Sequence, residues 1–179
     1  MKNIYLVGFM GTGKTAIGKV LASRLKLGFI DLDDLIEESQ ALKIVDIFAK
    51  KGEPYFRDLE SRVLKGVSKK EGFVVACGGG IVLKEDNIKV MQNSGIIICL
   101  RASWQVIYER TRKFSHRPLL DARDVPGKIR ELLDKREPFY TKVKNHVDTS
   151  DLTINEVAEK IIKEILAAHR EPRSENLEE

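Results

Sequence analysis

One segment constrains this chain more than any other: Gly8-Phe9-Met10-Gly11-Thr12-Gly13-Lys14-Thr15. It fits the phosphate-binding pattern G-x-x-x-x-G-K-[ST] and lies between an apolar β-rich run, Asn3–Val7, and a stretch with helical apolar spacing. Glycines there let backbone N–H groups surround a phosphate, and the positive N-terminus of the helix faces the same charge. In such loops the lysine bridges β- and γ-phosphates and the hydroxyl holds Mg²⁺, which assigns those roles to Lys14 and Thr15.

Strand-like and helical segments alternate along the rest of the chain. Amphipathic stretches with helical spacing separate the short β-rich runs, and Thr153 with Glu156 forms a capping-box signature before the last of these stretches. This alternation predicts an α/β fold with a five-stranded parallel sheet and helices on both faces. The predicted strands are Asn3–Val7, Phe29–Leu32, Phe73–Cys77, Ile96–Leu100 and Asn145–Thr149.

The length of 179 residues and a hydrophobic content of 42% fit one domain with a sizeable core. We expect this domain to span residues 1–168, and the tail 169–179, which has no apolar periodicity, to be disordered. Inside the domain, residues 113–124 are polar and irregular, and a long loop of that kind is often a lid over a site.

Composition also bounds location and partners. The longest apolar runs are only strand-length, and residues 1–7 lead directly into the glycine loop, so neither a membrane span nor a signal peptide is expected. Cys77 and Cys99 each end an apolar run, which indicates buried reduced thiols and a cytoplasmic protein. The net charge of +4 permits a nucleic-acid partner, but no basic run is interleaved with aromatic residues, so none is expected.

Acidic residues follow the second predicted strand, at the sheet edge where ligands bind in open α/β folds. With alternating strand geometry, Asp31 and Asp33 would face the same way and serve a metal and an acceptor. For Asp34 we favour a different role, as N-cap of a helix that begins at Leu35.

Three arginines lie in unusual surroundings: Arg57 near a predicted helix start, Arg117 in the lid-like segment, and Arg136 in Lys-Arg-Glu-Pro-Phe-Tyr. Arginine suits bidentate binding of carboxylate or phosphoryl groups. Each of them alone is as compatible with a surface ion pair, as the i,i+3 spacing of Arg57 and Glu60 illustrates.

Taken together, five ordered motifs resemble the shikimate kinase family, small P-loop kinases with a nucleoside-monophosphate-kinase-like fold. The resemblance spans about residues 3–166. The motifs are the glycine loop, Asp31-x-Asp33, Gly-Glu-x-x-Phe-Arg-x-x-Glu ending at Glu60, the triplet Gly78–Gly80, and Arg-Pro-Leu-Leu at 117–120 followed by Arg136-x-Pro-x-Tyr140.

The resemblance implies a role for each matching position. The catalytic residues would be Lys14, Asp33 and Arg117. The ATP site would comprise Gly11, Thr12, Gly13, Lys14, Thr15, Ala16, Arg110 and Arg117. Thr15 and Asp31 would hold Mg²⁺, and shikimate would meet Asp33, Arg57, Gly78, Gly79, Gly80 and Arg136.

The resemblance further implies that Arg110 packs on adenine with the stretch 148–153, and that Glu60 orients Arg57. A lid at about 111–124 would close over the site, and a helical region at about 33–62 would bind shikimate. Cys77 departs from the family, which often has a small hydroxyl residue before the glycine triplet.

The implied activity is transfer of the ATP γ-phosphoryl group to the 3-hydroxyl of shikimate by a monomer. Two alternatives stay open: another small-metabolite kinase of the same fold, such as a gluconate kinase, and a non-catalytic nucleotide-binding module. The first would lack this arrangement of arginines and glycines. The second is disfavoured because Asp33, Arg57 and Arg136 are all present.

Overall fold

The computed structural model describes residues 1–112, 118–120 and 122–170. Five strands form one parallel sheet in the order β2-β3-β1-β4-β5. The strands are β1 (Asn3–Val7), β2 (Gly28–Asp31), β3 (Phe73–Ala76), β4 (Gly95–Arg101) and β5 (Asn145–Asp148). The predicted fold class is confirmed, and each predicted strand overlaps an observed one.

The described residues contain seven α-helices and two short 3₁₀ turns. The helices are α1 (Lys14–Leu25), α2 (Leu32–Gln40), α3 (Ile44–Val67), α4 (Glu85–Ser94), α5 (Trp104–Thr111), α6 (Val125–Tyr140) and α7 (Ile154–Arg170). The turns are Ile81–Leu83 and Pro118–Leu120. None of the described helices has the length and apolar character that crossing a bilayer requires.

The two faces of the sheet bury separate apolar clusters. Leu6 of β1 and Ile98 of β4 pack with α1 and α7 on one face, while Val7 and Cys99 pack with α3 to α6 on the other. Because the central strands β3, β1 and β4 are covered on both sides, they are near-continuous apolar runs rather than alternating ones. Both cysteines are buried free thiols, as predicted.

A third, smaller cluster lies outside the sheet, between α2 and α3. Its buried members are Ile36, Ile47, Phe56 and Leu59. Helix α3 changes direction at Gly52, whose φ of 79° is left-handed. A positive φ is readily adopted by glycine because it has no Cβ. The region predicted at about 33–62 is thus a helical unit with apolar packing of its own.

The first turn of α2 corrects one prediction. The helix begins at Leu32, three residues before the predicted start, and its N-cap is Asp31, whose Oδ1 accepts a 3.0 Å hydrogen bond from the N–H of Asp33. Asp34 therefore lies within the first turn and does not cap it. Asp33 is helical as well, so the strand-like alternation expected for Asp31 and Asp33 does not apply.

The C-terminal helix bears out the capping-box signature. The Thr153 N–H donates to Glu156 Oε2 at 2.8 Å, and the Glu156 N–H donates to Thr153 Oγ1 at 3.3 Å. Helix α7 ends at Arg170, so its last two residues overlap the segment 169–179 predicted as a tail. Residues 171–179 lie outside the described residues.

Candidate active site

The glycine loop joins β1 to α1 at the carboxyl edge of the sheet. Gly11 and Gly13 adopt φ values of 80° and 94°, and a Cβ on Gly11 would also lie under 3.0 Å from Thr111. These two positions therefore need glycine. The Lys14 ammonium donates to the carbonyl oxygens of Gly8 and Phe9, each at 2.9 Å. The lysine thus lies along the loop in which the sequence predicts phosphate binding.

Thr15 and Asp31 meet at the start of α1. The Thr15 hydroxyl donates to Asp31 Oδ2 at 2.7 Å. A hydroxyl and a carboxylate oxygen are hard ligands of the kind Mg²⁺ prefers, and Mg²⁺ typically uses one or two protein oxygens together with phosphates and water. The pair predicted from the sequence as a metal site is therefore adjacent, and its chemistry fits that ion.

A cavity of about 420 Å³ runs from this pair along the glycine loop. Its lining includes residues 10–17, Asp31, Asp33, Cys77 and Gly79, together with the apolar side chains of Leu152, Ile154 and Val157. Arg110 and Thr149 also line it. A volume of this size, lined by polar and charged side chains and by an apolar part, suits a small polar ligand. The cavity thus contains all the described residues predicted to bind ATP.

Arg110 is fixed between the glycine loop and the segment after β5. Its Nη1 donates to Gly11 O at 3.3 Å and to Thr149 Oγ1 at 3.0 Å, and its Nη2 donates to Thr149 O at 2.7 Å. Arg110, which the sequence predicts to contact the nucleotide, therefore has a defined position beside the loop. Sequence reasoning placed Thr149 in the adenine-side stretch without a role of its own.

Arg57 lies in α3 with a carboxylate on each side. Its Nη1 donates to Glu60 Oε2 at 2.5 Å, and its Nε and Nη2 donate to Glu53 Oε1 at 3.1 and 2.8 Å. Glu60 is only 1% exposed, whereas 45% of the Glu53 side-chain surface is accessible. Glu60 therefore contacts Arg57 as predicted, and Glu53, which lies one helical turn earlier, was missed.

Burial sets the electrostatics of this pair. It raises the pKa of Glu60 above the ordinary 4.5, and the nearby Arg57 and Arg136 guanidinium groups act in the opposite direction. Desolvation opposes the charge on Arg57 too, yet Glu60 and Glu53 hold its pKa above the ordinary value. Arg57 thus keeps its positive charge in a nearly buried position.

The triplet Gly78–Gly80 follows β3 and passes across these charged groups. A Cβ on Gly78 would lie under 3.0 Å from the Glu60 carboxylate, and one on Gly80 would lie under 3.0 Å from the Arg57 guanidinium. A Cβ on Gly79 would be 3.3 Å from Arg136 Nη1. Glycines in this triplet thus let the backbone approach the groups predicted to bind the substrate.

Arg136 reaches the same place from α6. It is 4% exposed, and its guanidinium lies over the Phe9 ring at 5.4 Å from the centroid. Tyr140, one turn later, donates its hydroxyl proton to Gly79 O at 2.6 Å, which ties α6 to the glycine triplet. Phe9 and Tyr140 appear in the sequence motifs, but their supporting roles depend on tertiary contacts.

Asp33 lies between the cavity along the glycine loop and the triplet Gly78–Gly80. It lines the cavity, and its Oδ1 would be 3.1 Å from a Cβ on Gly78, the position that also faces Glu60. The glycine loop, Asp31, Asp33 and the triplet therefore form a continuous site. Of the predicted site residues, Arg117 alone lies outside the described residues.

Cys77 separates β3 from the triplet and lines the cavity. Burial raises the pKa of its thiol well above the ordinary value, and the negative charges of Glu60, Asp31 and Asp33 act in the same direction, although Lys14 opposes them. The thiol therefore stays protonated at neutral pH. Cys99, in β4, has a pKa raised to about 11 by burial.

Comparison with known proteins places this geometry in a family. The profile described as "Shikimate kinase" matches residues 10–166. A shikimate kinase of Thermodesulfovibrio yellowstonii is 49% identical over 164 residues, which cover 92% of this chain and 95% of that protein.

Comparison with solved structures leads to the same family. A shikimate kinase from Acinetobacter baumannii in complex with shikimate superposes with a TM-score of 0.92 at 34% identity, over 96% of each chain. A gluconokinase from Sinorhizobium meliloti shares the fold, with a TM-score of 0.58 at 17% identity over 95% of this chain and 98% of that one. The resemblance seen in the five sequence motifs is thus confirmed: the chain belongs to the shikimate kinase family.

Proposed function

We propose that this chain transfers the γ-phosphoryl group of ATP to the 3-hydroxyl of shikimate, giving shikimate 3-phosphate and ADP in aromatic amino-acid biosynthesis. The observation that carries this proposal is the position of Asp33. Its carboxylate borders the cavity along the glycine loop and also lies beside Gly78, next to the Arg57–Glu60 pair. A hydroxyl held at Asp33 would therefore be close to both the phosphate end and the arginines.

The acceptor is an anion, and the described site contains two buried guanidinium groups to receive it. Arg57 and Arg136 lie against neighbouring glycines of one triplet, and both are less than a tenth exposed. Guanidinium groups bind carboxylates by paired charge-assisted hydrogen bonds, which are strong where water is excluded. This pair would hold the shikimate carboxylate in the ground state and in the transition state alike.

Transfer itself requires alignment and neutralisation of charge more than covalent chemistry. Lys14 and the N–H groups of the glycine loop would bind the phosphates, and Arg117 is the residue we expect to meet the transferring group. Thr15 and Asp31 would hold Mg²⁺, which offsets charge on the β- and γ-oxygens when it is bound. Asp33 would orient the attacking hydroxyl and accept its proton, late in a loose transition state.

Two further features belong to this proposal. The segment at about 111–124, in which residues 113–117 and 121 lie outside the described residues, would close over both substrates and keep water from the γ-phosphate. We also propose that the protein acts as a monomer, because this one chain contains every residue that we assign to the reaction. We place it in the cytoplasm because its two cysteines are buried free thiols, and we expect no nucleic-acid or membrane partner.

A gluconate kinase is the nearest alternative, because the gluconokinase of S. meliloti has the same fold. Arg57 and Arg136 could bind the carboxylate of either acid, so shikimate is favoured by the relatives: a shikimate kinase is 49% identical to this chain, whereas the gluconokinase is 17% identical. A non-catalytic nucleotide-binding module is disfavoured by the two buried arginines, since it would not need the acceptor site.

A coupled assay of ADP release tests the proposal. Mg·ATP would be supplied with shikimate, with gluconate, with AMP or with no acceptor. The proposal expects ADP release only when shikimate is the acceptor, and loss of that turnover in Asp33→Asn. ATP binding without shikimate-stimulated turnover would contradict it, and turnover with gluconate in place of shikimate would favour the alternative.

A further inference from the structure

Thr149 follows β5 at the edge of the candidate nucleotide site and is 1% exposed. Its hydroxyl oxygen lies 3.2 Å from Thr12 O and 3.0 Å from Arg101 O, and it accepts a 3.0 Å hydrogen bond from Arg110 Nη1. A hydroxyl has one proton and two lone pairs. The proton is therefore shared between two carbonyls, while a lone pair receives the arginine.

The backbone of Thr149 makes two more bonds in the same place. Its N–H donates to Arg101 O at 2.8 Å, and its carbonyl accepts from Arg110 Nη2 at 2.7 Å. Arg110 in turn donates to Gly11 O at 3.3 Å. Thr149 thus connects the end of β4, helix α5 and the glycine loop.

These bonds engage carbonyl oxygens of the loop that is predicted to bind phosphate. Gly11 O receives Arg110, and Thr12 O lies within hydrogen-bond distance of the Thr149 hydroxyl. A loop that binds an anion through its N–H groups must keep its carbonyl oxygens, which carry partial negative charge, away from that anion. Hydrogen-bond partners on the carbonyls stabilise such an arrangement before the nucleotide arrives.

We propose that the Thr149 hydroxyl is a positioning group for nucleotide binding, which acts through Arg110 and the carbonyls of Gly11 and Thr12. This inference rests on the nucleotide site of the proposed function and adds a determinant of affinity to it. Thr149 has no part in phosphoryl transfer itself, so its loss changes affinity for the nucleotide and leaves the chemical step and the shikimate site as they are.

Thr149→Val tests this, because valine keeps the β-branched shape and lacks the hydroxyl, and Thr149→Ser keeps the hydroxyl as the matched control. Calorimetry with Mg·ADP gives Kd, and steady-state kinetics give KM for each substrate. In Thr149→Val, Kd for Mg·ADP and KM for ATP should rise about tenfold, which corresponds to about 1.4 kcal/mol and is in the range for one unmade buried hydrogen bond. In the same variant, kcat and KM for shikimate should stay within about twofold, and Thr149→Ser should restore nucleotide affinity to within about threefold of the unmodified protein.

Three results would overturn the inference. These are an unchanged Kd for Mg·ADP in Thr149→Val, an equal rise of that Kd in Thr149→Val and Thr149→Ser, or a lower kcat in Thr149→Val without a change in nucleotide affinity. If Thr149→Val folds poorly, Thr149→Ala takes its place, because alanine also lacks the hydroxyl and should weaken Mg·ADP binding in the same way relative to Thr149→Ser. Where Thr149→Val folds, its effect in an Arg110→Gln background should be clearly less than tenfold, because the two residues act together. Mg·ADP binding requires no acceptor, so an unmodified protein that binds it without phosphorylating shikimate would contradict the proposed function and leave this test intact.

Discussion

The Arg57 guanidinium lies directly against the Cα of Gly80, under 3.0 Å from where a Cβ would stand. A side chain at position 80 must therefore displace the arginine or move the loop. Because Arg57 is also bonded to the buried Glu60, it has little freedom to move away.

We predict that Gly80→Ala raises KM for shikimate at least about tenfold, with a smaller effect on KM for ATP, since the carboxylate would lose a well-placed partner. Gly66→Ala is the matched control, because nothing lies within 4 Å of a Cβ there and the residue is in α3. Steady-state kinetics of both variants decide the matter. Equal effects of the two substitutions on KM for shikimate would contradict this relationship.

The two carboxylates beside Arg57 should contribute unequally to its orientation for substrate binding. Glu60→Gln should raise KM for shikimate about tenfold, because it removes the buried charge that orients the guanidinium. Glu53→Gln should change it about twofold or less, since Glu53 is half-exposed and its ion pair is screened by water. Michaelis constants measured at one ionic strength test this order, and the reverse order would show that Glu53 is the orienting group.

Glu60 should also affect stability in a pH-dependent way. Its pKa is raised above 4.5 by burial, so the folded protein holds this proton more tightly than the unfolded chain does. Its stabilising contribution is fully present below pH 4.5 and is lost as the pH rises through the raised pKa. The free energy of unfolding of the unmodified protein, minus that of Glu60→Gln, should therefore fall as the pH rises above about 4.5. Denaturant titrations across this range measure it, and a difference that rises with pH would mean that Arg57 outweighs burial.

Asp31 caps α2, and we propose that it also helps to hold Mg²⁺; one substitution separates the observed role from the proposed one. Asparagine still caps α2, but it lacks the charge that a divalent cation requires. We predict that Asp31→Asn raises the Mg²⁺ concentration needed for half-maximal turnover about 10- to 100-fold, with helix content unchanged. Asp34→Asn, with the same loss of charge in the same turn, serves as control. Similar Mg²⁺ dependence in the two variants would exclude Asp31 from the metal site.

Arg117 and Arg136 should give different kinetic signatures. If Arg117 meets the transferring phosphoryl group, Arg117→Ala should lower kcat by about 10³ or more, as loss of an arginine finger does. Arg136→Ala should mainly raise KM for shikimate, because carboxylate binding is the same in ground and transition states. A variant at position 117 with normal kcat and a raised KM for shikimate would show that the assigned role is wrong.

Local signals in the sequence were sufficient for most of the fold. The glycine loop and the alternating strands and helices predicted the parallel sheet, and the Thr153–Glu156 pair predicted the cap of α7, which the structure confirms. The start of α2 was missed because Asp31 ends a strand and caps a helix at once. A chain that changes geometry within one residue leaves no periodicity to read there.

The supporting contacts of the site were less accessible from the sequence. Tyr140 bonds Gly79 across 61 residues, and Thr149 lies beside Thr12 across 137. Such contacts depend on the order of strands in the sheet and on the packing of α6 and α7. Sequence motifs identified the residues that carry charge, and tertiary structure was needed for the groups that hold them in place.

Identification of the phosphorylated product tests the central claim most directly. Shikimate and Mg·ATP would be incubated with the unmodified protein and with Asp33→Asn, and the products followed by ³¹P and ¹H NMR. The account predicts a single phosphomonoester coupled to the proton on C3 of shikimate, formed by the unmodified protein and absent with Asp33→Asn. Phosphate on another hydroxyl, release of inorganic phosphate alone, or undiminished product from Asp33→Asn would contradict it.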